Sequence, residues 1–377
     1  MKLMFDRAGS ADGLNTLLTA LCQDENITGI MIFACDANGF TPEAVDSLLR
    51  GCGKPLWGGI FPEIIHQNEK VSQGTLVAGF TCPVEIVTLD NLNMEPVLMR
   101  QMIEGTYGKS DLRDQTMFVF ADGLSSHIEK LRDSLFQTLG DIPNYMGGGA
   151  GSLQFIPRPC IVTSEGLKEN AAVLALVRRK SGVGVAHGWQ PLSEPHKVTA
   201  AEGNRIISID WQPAYEVYQE IVENLSGCSF SQQDFFQLAK SYPLGIMNMD
   251  LEMIVRDPIG TNPVKELICV GDVPVNTIIH VLRGDRESLL QGAADSKEMA
   301  STRYQAATGN AADTAAAMIV IDCISRVLYL NHDFQEELKT VKTDVPLMGA
   351  LTLGEFANVK GGHVAFHNKT IVTALFQ

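Results

Sequence analysis

The sequence predicts an α/β protein whose mixed sheets are built from a repeated unit of strand, helix, strand, glycine turn and strand. Short apolar runs that end in a small or acidic residue occur three times, and a helical pattern and a glycine-containing segment follow each of them. Between the second and third repeats, a strand-rich segment with hairpin signals interrupts the order. We therefore expect three similar units and one insert, arranged in two domains.

The first strand of each unit is predicted to be buried, because its residues are almost continuously apolar. The three runs are MIFACD (31–36), MFVFADG (117–123) and MIVIDC (318–323). Each precedes a helical stretch, and Thr41 and Ser125 are the expected N-caps of the first two helices. Closing strands are predicted at 74–80, 169–177 and 369–376. These elements give the three units the same order.

A glycine-containing turn is predicted between the helix and the closing strand of every unit. The segments are PLWGGIFPE (55–63), PNYMGGGAG (143–151) and PLMGALTLGE (346–355). Glycine permits backbone conformations and close approaches that a side chain would block. We expect Gly58, Gly147 and Gly349 to occupy equivalent turns when the three units are superposed.

The insert is predicted to be rich in hairpins. Segments 181–192, 197–210, 242–260 and 266–284 are strand-like and carry Gly-Asn and Asp-Pro turn signals. The spacing of apolar residues predicts helices at about 213–225, 231–240 and 285–303. The two halves of the chain are expected to meet near 210–230.

Charge and cysteine content disfavour several classes of protein. With 29 basic and 44 acidic residues, the chain has a net charge of −15, which argues against a general nucleic-acid binder. The first residues lack the apolar core of a signal peptide, and no apolar segment is long enough to span a bilayer. The eight cysteines contain no CxxC pair, which favours reduced thiols over a disulfide framework or a zinc site. We expect a cytoplasmic protein that binds neither nucleic acid nor membrane.

The third unit carries most of the candidate ligand-binding residues. Cys323, Arg326, Glu355 and His367 fall on segments expected at strand ends, where open α/β sheets bind ligands. Guanidinium is a planar donor that suits a polar small molecule such as an amino acid. The alternative is that Arg326 and Glu355 pair with each other and only hold the turn. Glu63 occupies a similar place after the glycine of the first unit, and the same two interpretations apply to it.

An enzyme is a hypothesis of a different class. No GxSxG elbow, GxxxxGK[ST] loop or HExxH helix is present. A catalytic centre would therefore depend on Cys323 as a nucleophile or on the acids Glu63 and Glu355. A buried thiol is the alternative interpretation of Cys323, because the sequence places no base beside it.

Haem is the most concrete cofactor hypothesis, and His187 is its first candidate iron ligand. In VGVAHGW, a strand would place Val185, His187 and Trp189 on one face, and the neighbouring glycines would admit a large ring. A core histidine bonded to a backbone carbonyl is the alternative. His332 and His367 are the other candidate ligands.

Taken together, these segments resemble the FIST family, sensory proteins with an N-terminal and a C-terminal FIST region. The resemblance rests on motifs that span nearly the whole chain in order: LWGGIFPEII, ADGLSSHIEKL, YMGGGAGS, VGVAHGWQPL, VTAAEGNRIISIDWQPAYEVY, SYPLGI, IVRDPIG, DCISR, GALTLGEFA and FHNKT. It implies an N-terminal-like domain at 1–212 and a C-terminal-like domain at 213–377.

The resemblance also implies a function. It points to a cytoplasmic sensor of a small ligand that signals through a separate protein, such as the histidine kinase of a two-component system or a cyclic-nucleotide enzyme. Some members of the family look like haem-containing sensors of nitric oxide. The chain itself carries no kinase, receiver or methyl-accepting segment, so we expect a stand-alone sensor, with a homo-oligomer among the expected states.

Overall fold

The computed structural model describes residues 1–232, 234–247, 253–358 and 362–377, and its first two units repeat the same series of eight elements. Unit 1 consists of β1 (Lys2–Asp6), α1 (Ala11–Cys22), β2 (Gly29–Cys35), α2 (Pro42–Gly51), β3 (Leu56–Phe61), β4 (Glu63–His66), β5 (Glu69–Val71) and β6 (Thr75–Phe80). Unit 2 consists of β7 (Val84–Leu89), α3 (Pro96–Tyr107), β8 (Thr116–Asp122), α4 (Ile128–Leu139), β9 (Asn144–Ala150), β10 (Ile161–Thr163), β11 (Gly166–Lys168) and β12 (Ala172–Val177).

Unit 3 follows the same plan but is interrupted after its first strand, β13 (Ser181–Ala186). The insert contains β14 (Gln190–Pro191), β15 (His196–Glu202), β16 (Arg205–Ile209), β17 (Gln212–Pro213), α5 (Ala214–Ser226), α6 (Phe235–Ala239), β18 (Leu244–Met247), β19 (Met253–Thr261), β20 (Leu267–Val270) and β21 (Ile278–Arg283). The unit then continues with α7 (Arg286–Thr308), β22 (Ala317–Cys323), α8 (Ile324–Leu330), α9 (Phe334–Val341), β23 (Leu347–Thr352), β24 (Glu355–Asn358), β25 (Val364–His367) and β26 (Ile371–Phe376).

The three units form three six-stranded mixed sheets with equivalent strand orders. The orders are β1-β6-β2-β3-β10-β11, β7-β12-β8-β9-β24-β25 and β13-β26-β22-β23-β4-β5. In each sheet, one unit supplies four strands and another unit supplies the outer hairpin. The exchange is cyclic: unit 1 completes the sheet of unit 3, unit 2 that of unit 1, and unit 3 that of unit 2. The mixed α/β class predicted from the sequence is confirmed.

The strands of all three units share one hydrophobic core. Phe33 of unit 1 packs 5.4 Å from Phe120 of unit 2, and Phe118 of unit 2 packs 5.7 Å from Phe376 of unit 3, measured between ring centroids. All four side chains are buried. Aromatic contacts at these distances stabilise the packing of the sheets on one another.

Gly58, Gly147 and Gly349 are equivalent, as predicted, but they lie inside strands and not in turns. In the parallel ladders, they pair with Ile32, Val119 and Val320, each the fourth residue of its strand counted back from the strand's last residue. A Cβ at the three glycines would lie 1.9, 1.9 and 2.3 Å from the carbonyl oxygens of those partners. The repeated glycine is therefore required by the close approach of two parallel strands.

The insert is strand-rich, as predicted, and its eight described strands, β14 to β21, form one antiparallel sheet. The predicted hairpin at 197–210 is β15–β16, and the predicted helices correspond to α5, α6 and α7. The Asp-Pro signal at 257–258 does not mark a turn, because both residues lie inside β19, and the residues that join β18 to β19 lie outside the described part of the chain. Ser125 is not an N-cap, because α4 starts later and its N-cap is His127.

The prediction that all cysteines are reduced is wrong for one pair. Cys22 and Cys52 form a disulfide between the C-terminal ends of α1 and α2, and their Cα atoms are 5.9 Å apart. The pairing could not be read from spacing, because 30 residues separate the two cysteines. The other six cysteines are free thiols. None of the helices in the described part of the chain has the length and apolar character of a bilayer span.

The strand glycines predict a large effect of the smallest substitution. Gly147→Ala should lower the free energy of unfolding by about 2–5 kcal/mol, because the new Cβ would clash with the Val119 carbonyl at a positive φ. Gly105→Ala in α3 is the matched control, because no atom lies within 4 Å of its Cβ position. It should be neutral or stabilise by up to about 1 kcal/mol. Urea unfolding followed by circular dichroism would compare them, and equal midpoints would contradict the role assigned to Gly147.

Candidate functional site

A cavity of about 600 Å³ lies where unit 2, unit 3 and the insert meet. Unit 2 lines it with residues 123–126 and the start of α4, which follow the carboxyl end of β8. Unit 3 lines it with residues 323–325, at the carboxyl end of β22 and the start of α8. Ligands commonly bind at the carboxyl ends of strands in α/β folds. The position therefore agrees with the expected location of a site.

The insert forms the remaining wall, and two buried ion pairs hold it against units 2 and 3. Arg256 in β19 lies 2.7 Å from Glu129 of α4 and donates a hydrogen bond to the Phe366 carbonyl of unit 3. The next residue, Asp257, lies 3.2 Å from the Nζ atom of Lys369. Buried ion pairs are costly to break by removing one partner. Adjacent residues of β19 thus anchor the insert to two different units.

The cavity wall is apolar with a strongly acidic polar part. Glu129, Asp257 and Asp272 line it, and no lysine, arginine or histidine is among its described lining residues. Burial raises the pKa of both Asp257 and Asp272, and the neighbouring Glu129 carboxylate raises that of Asp272 further. Within the described residues, no group of three or more His, Cys, Asp or Glu side chains is arranged to hold a metal ion.

Cys323 and Glu355 lie together at the cavity, with Cys323 on its surface and Glu355 behind it. The thiol hydrogen-bonds to the carboxyl group, which also accepts hydrogen bonds from the Thr352 hydroxyl (2.9 Å) and the Thr370 backbone N–H (3.3 Å). Burial raises the pKa of Cys323 and that of Glu355 well above their usual ranges. Because the thiolate is the nucleophilic form, this environment does not activate Cys323.

Arg326 is fully buried and binds groups of the protein. Its guanidinium contacts Glu337 (2.6 Å) and Asp322 (3.3 Å) and donates to the carbonyls of Leu289 (3.0 Å) and Lys369 (3.3 Å). The alternative interpretation, in which Arg326 pairs with Glu355, is wrong in its partner, because Arg326 pairs with Glu337 and Asp322. Arg326 is not among the residues that line the cavity.

Glu63 lies away from the cavity, in the outer hairpin of unit 3's sheet. Both of its carboxylate oxygens are 2.7 Å from the Nζ atom of Lys70. In its ladder, Glu63 is opposite Leu351, which is two residues after the strand glycine Gly349. Glu355 is opposite Gly148, which is one residue after the equivalent glycine, Gly147. A shift of one residue turns a side chain to the other face of a sheet. The two acids therefore occupy different environments.

The three histidines considered as iron ligands belong to no metal-binding group within the described residues, although His187 lies close enough to His367 to lower its pKa. His332 is exposed in a short 3₁₀ turn, Asn331–Asp333. His367 is buried in β25 opposite Glu355, and burial, with Arg256 nearby, lowers its pKa to about 3. None of the three is among the residues that line the cavity.

The surroundings of His187 do not fit haem. His187 lies just after β13, its Nδ1 accepts a hydrogen bond from the Trp189 backbone N–H (2.9 Å), and the ring also hydrogen-bonds to the Met253 backbone. Burial lowers its pKa to about 4. Helix α7 occupies the space beside the neighbouring Gly184 and Gly188. A Cβ at Gly184 or Gly188 would lie 1.9 or 2.1 Å, respectively, from a carbonyl oxygen of that helix. The glycines that suggested room for a macrocycle accommodate helix packing.

The sequence reasoning missed the polar and charged residues where the insert meets unit 3. Arg256 and Asp257 lie in IVRDPIG, and Asn368 and Lys369 lie in FHNKT. A charged pair inside an apolar run is a signal of buried ion pairs, because Arg, Lys and Asp are seldom buried without a partner. That signal could have placed both motifs at one site.

Comparison with known proteins identifies two regions of the chain. Residues 29–212 match the FIST N domain, and residues 214–358 match the FIST C domain. Strand β13 of unit 3 thus lies in the first region, and the central strands of that unit lie in the second. No curated protein matches. Among the solved structures that match is a chorismatase crystal structure, with 11% identity and a TM-score of 0.38 over 100% of this chain and 98% of that one.

The burial of Arg326 predicts a structural role. Arg326→Ala should lower the free energy of unfolding by about 3–5 kcal/mol, because it leaves Glu337 and Asp322 buried without their cation. Arg113→Ala is the control, because its side chain is exposed next to Asp111, and it should change stability by less than about 0.5 kcal/mol. Denaturant unfolding would measure both variants. Equal stability of the two variants would contradict this assignment.

The buried His367 predicts a defined pH dependence of stability. Its folded pKa of about 3 lies below the ordinary value of 6.5, so between these pH values the unfolded state binds one more proton. This histidine therefore contributes stability above pH 6.5 that is lost as the pH falls, by about 1.4 kcal/mol per pH unit. His367→Gln should remove that part of the slope.

The matched control is His332→Gln, because His332 is exposed. Buried acids such as Glu355, whose pKa is raised, contribute in the opposite direction, but they do so equally in wild type and variants. Urea unfolding at several pH values from 4.5 to 7.5 would give the slopes. An unchanged slope in His367→Gln would show that His367 is not buried in its neutral form.

Proposed function

Because the chain belongs to the FIST family, whose domains are sensors in signal transduction, we propose that it is a small-ligand sensor whose ligand occupies the cavity between unit 2, unit 3 and the insert. One observation carries this proposal: a cavity of about 600 Å³ is walled by three separate parts of the fold. Small-molecule sites usually measure about 300–1,000 Å³ and lie between such parts.

The ion pairs at the cavity supply a route from ligand to output. A ligand that contacts Asp257 or Glu129 acts directly on the pairs with Lys369 and Arg256, which hold the insert to units 3 and 2. A ligand shifts a conformational equilibrium only by its differential contacts with the two states. Contacts with these carboxylates favour one position of the insert, and this position is the signal in our proposal.

The remaining parts of the proposal concern the cellular setting. The output passes to a separate signalling protein, such as a histidine kinase or a cyclic-nucleotide enzyme, and the sensor works in the cytoplasm as a stand-alone chain. Six free thiols support a reducing compartment, and the Cys22–Cys52 disulfide counts against it. Exposed apolar residues on α3, Val97 and Leu98, offer a surface for a homo-oligomer.

The alternatives have weaker support from the geometry. A receptor for an amino acid held by Arg326 and Glu355 would need access to Arg326, which is enclosed by protein groups. A haem sensor of nitric oxide would need a free imidazole at His187 and basic groups for the propionates, and the described lining residues of the cavity supply neither. An enzyme using Cys323 would need a base to remove the thiol proton. Burial raises the pKa of Glu355 and so favours its protonated form, which cannot accept that proton.

A variant that fills the mouth of the cavity would test the proposal. Leu328 lines the cavity and is 38% exposed, so Leu328→Trp should abolish binding with little effect on the fold. Val264→Trp is the matched control, because Val264 is 71% exposed and is not a lining residue. A library of small metabolites, including haemin, would be screened by thermal shift and the hits titrated by calorimetry. Hits that bind both variants equally would place the site elsewhere and overturn the proposal.

A further inference from the structure

The polar groups of the cavity are acceptors that lack enough donors. Asp257 is 1% exposed, and its Oδ2 atom is engaged by Lys369 (3.2 Å) and by the Ser325 hydroxyl (2.9 Å). Its Oδ1 atom has no hydrogen-bond partner within the described residues, and neither has the Oδ1 atom of Asn368, which also lines the cavity. An unpaired buried acceptor costs free energy, which a donor on a ligand would recover.

Asp272 adds a second carboxylate that is available to a ligand. It is half-buried, it lines the cavity, and no side-chain hydrogen bond or ion pair to it is found among the described residues. Its backbone carbonyl accepts a hydrogen bond from Arg256 (3.0 Å), but the guanidinium is committed to Glu129. Burial raises the pKa of Asp272 most, repulsion from nearby Glu129 and Asp133 raises it further, and Arg256 and Arg132 partly offset that effect. A cation placed between these acids would relieve that repulsion.

Apolar side chains make up much of the remaining cavity lining. The half-buried Phe236 and the buried Phe366 line the cavity, and Leu153, Ile259 and Leu328 line it while remaining 37%, 36% and 38% exposed. Exposed apolar side chains grouped at a pocket mouth are typical of ligand-binding grooves. The apolar part of the site is therefore larger than a short polar metabolite needs.

We propose that the ligand is an organic amine, an ammonium group on an aromatic or alkyl body, with the ammonium held by Asp257 and Asp272 and the body against Phe236 and Leu328. This inference rests on the proposed function, and it names the ligand class of that site. Ammonium offers three donors and one positive charge. An inorganic divalent cation does not fit, because the described acids do not form a metal-binding group.

Anions and zwitterions fit this wall less well than amines. Glu129, Asp257 and Asp272 line the cavity without any basic side chain among its described lining residues. Arg256 and Lys369, the cations paired with Glu129 and Asp257, lie outside that lining, so a ligand carboxylate would meet carboxylates at the cavity surface. Like charges brought together in a partly buried site repel strongly. An amino acid carries the favourable and the unfavourable group at once, so it should bind more weakly than the amine that lacks the carboxylate.

Three probes of one shape separate these cases: 2-phenylethylamine, L-phenylalanine and 3-phenylpropanoate, titrated into the full chain by calorimetry at pH 7.5. The amine should bind most tightly, and the anion most weakly. Asp272→Asn should weaken the amine by about tenfold or more, because a charge-assisted bond is lost. Asp111→Asn should leave the affinity for the amine unchanged, because the Asp111 side chain is exposed and is not among the lining residues.

The outcomes distinguish this inference from the proposed function. If 3-phenylpropanoate binds more tightly than the amine and Leu328→Trp abolishes that binding, the cavity is a sensor site but the amine inference is wrong. Amine binding that is unchanged by Asp272→Asn also overturns the inference. The same holds if none of the three amines, 2-phenylethylamine, tryptamine and hexylamine, binds. Amine binding that survives Leu328→Trp contradicts the cavity site itself, and with it both proposals.

Discussion

The other features of the molecule depend on one constraint: no unit can complete its own sheet. The glycine strand of each unit leaves an edge that must be paired, because unpaired backbone groups at a buried edge are costly. The hairpins β10–β11, β24–β25 and β4–β5 fill these edges, and each comes from a different unit than the edge that it covers. The three exchanges close a ring. The units therefore depend on one another, and strand ends from two units meet at each of three seams.

The three seams are equivalent in connectivity and different in content, which explains why one of them holds the cavity. Between units 1 and 2, Asp36 pairs with Arg158 and accepts a hydrogen bond from Ser152 (2.8 Å), so side chains of unit 2 occupy the space. Between units 3 and 1, α9 packs on the seam, and its Gln335 donates a hydrogen bond to the Asn68 carbonyl (2.9 Å). At the seam between units 2 and 3, the insert covers the strand ends without filling the space beneath it, and that space is the cavity.

The repeat could be predicted from the sequence because local residue patterns determine its strands and glycines. The site depends on which strands pair across units, and those strands are far apart in the sequence. Strands buried on both faces need continuous apolar runs, and a close approach of parallel strands needs glycine. Nothing local records which edge a hairpin will join. Glu63 and Glu355 follow similar glycine-containing segments, yet the pairing register of their strands differs by one residue. For this reason only Glu355 lies next to the cavity. The glycines beside His187 show the same ambiguity, because a helix and a macrocycle would require the same small residues.

The charges at the cavity link one strand of the insert, β19, to both unit 2 and unit 3. Successive residues of a strand point to opposite faces, so Arg256 reaches Glu129 of unit 2 while Asp257 reaches Lys369 of unit 3. Lys369 also donates to the Lys240 carbonyl beside α6 (3.0 Å) and lies 5.2 Å from the Trp189 ring. Burial makes each of these contacts sensitive to an added charge, since few water molecules can screen it. A charge bound at Asp257 competes directly with Lys369 for the same carboxylate. Because Lys369 also binds the insert through the Lys240 carbonyl, that competition acts on the contact between the insert and unit 3.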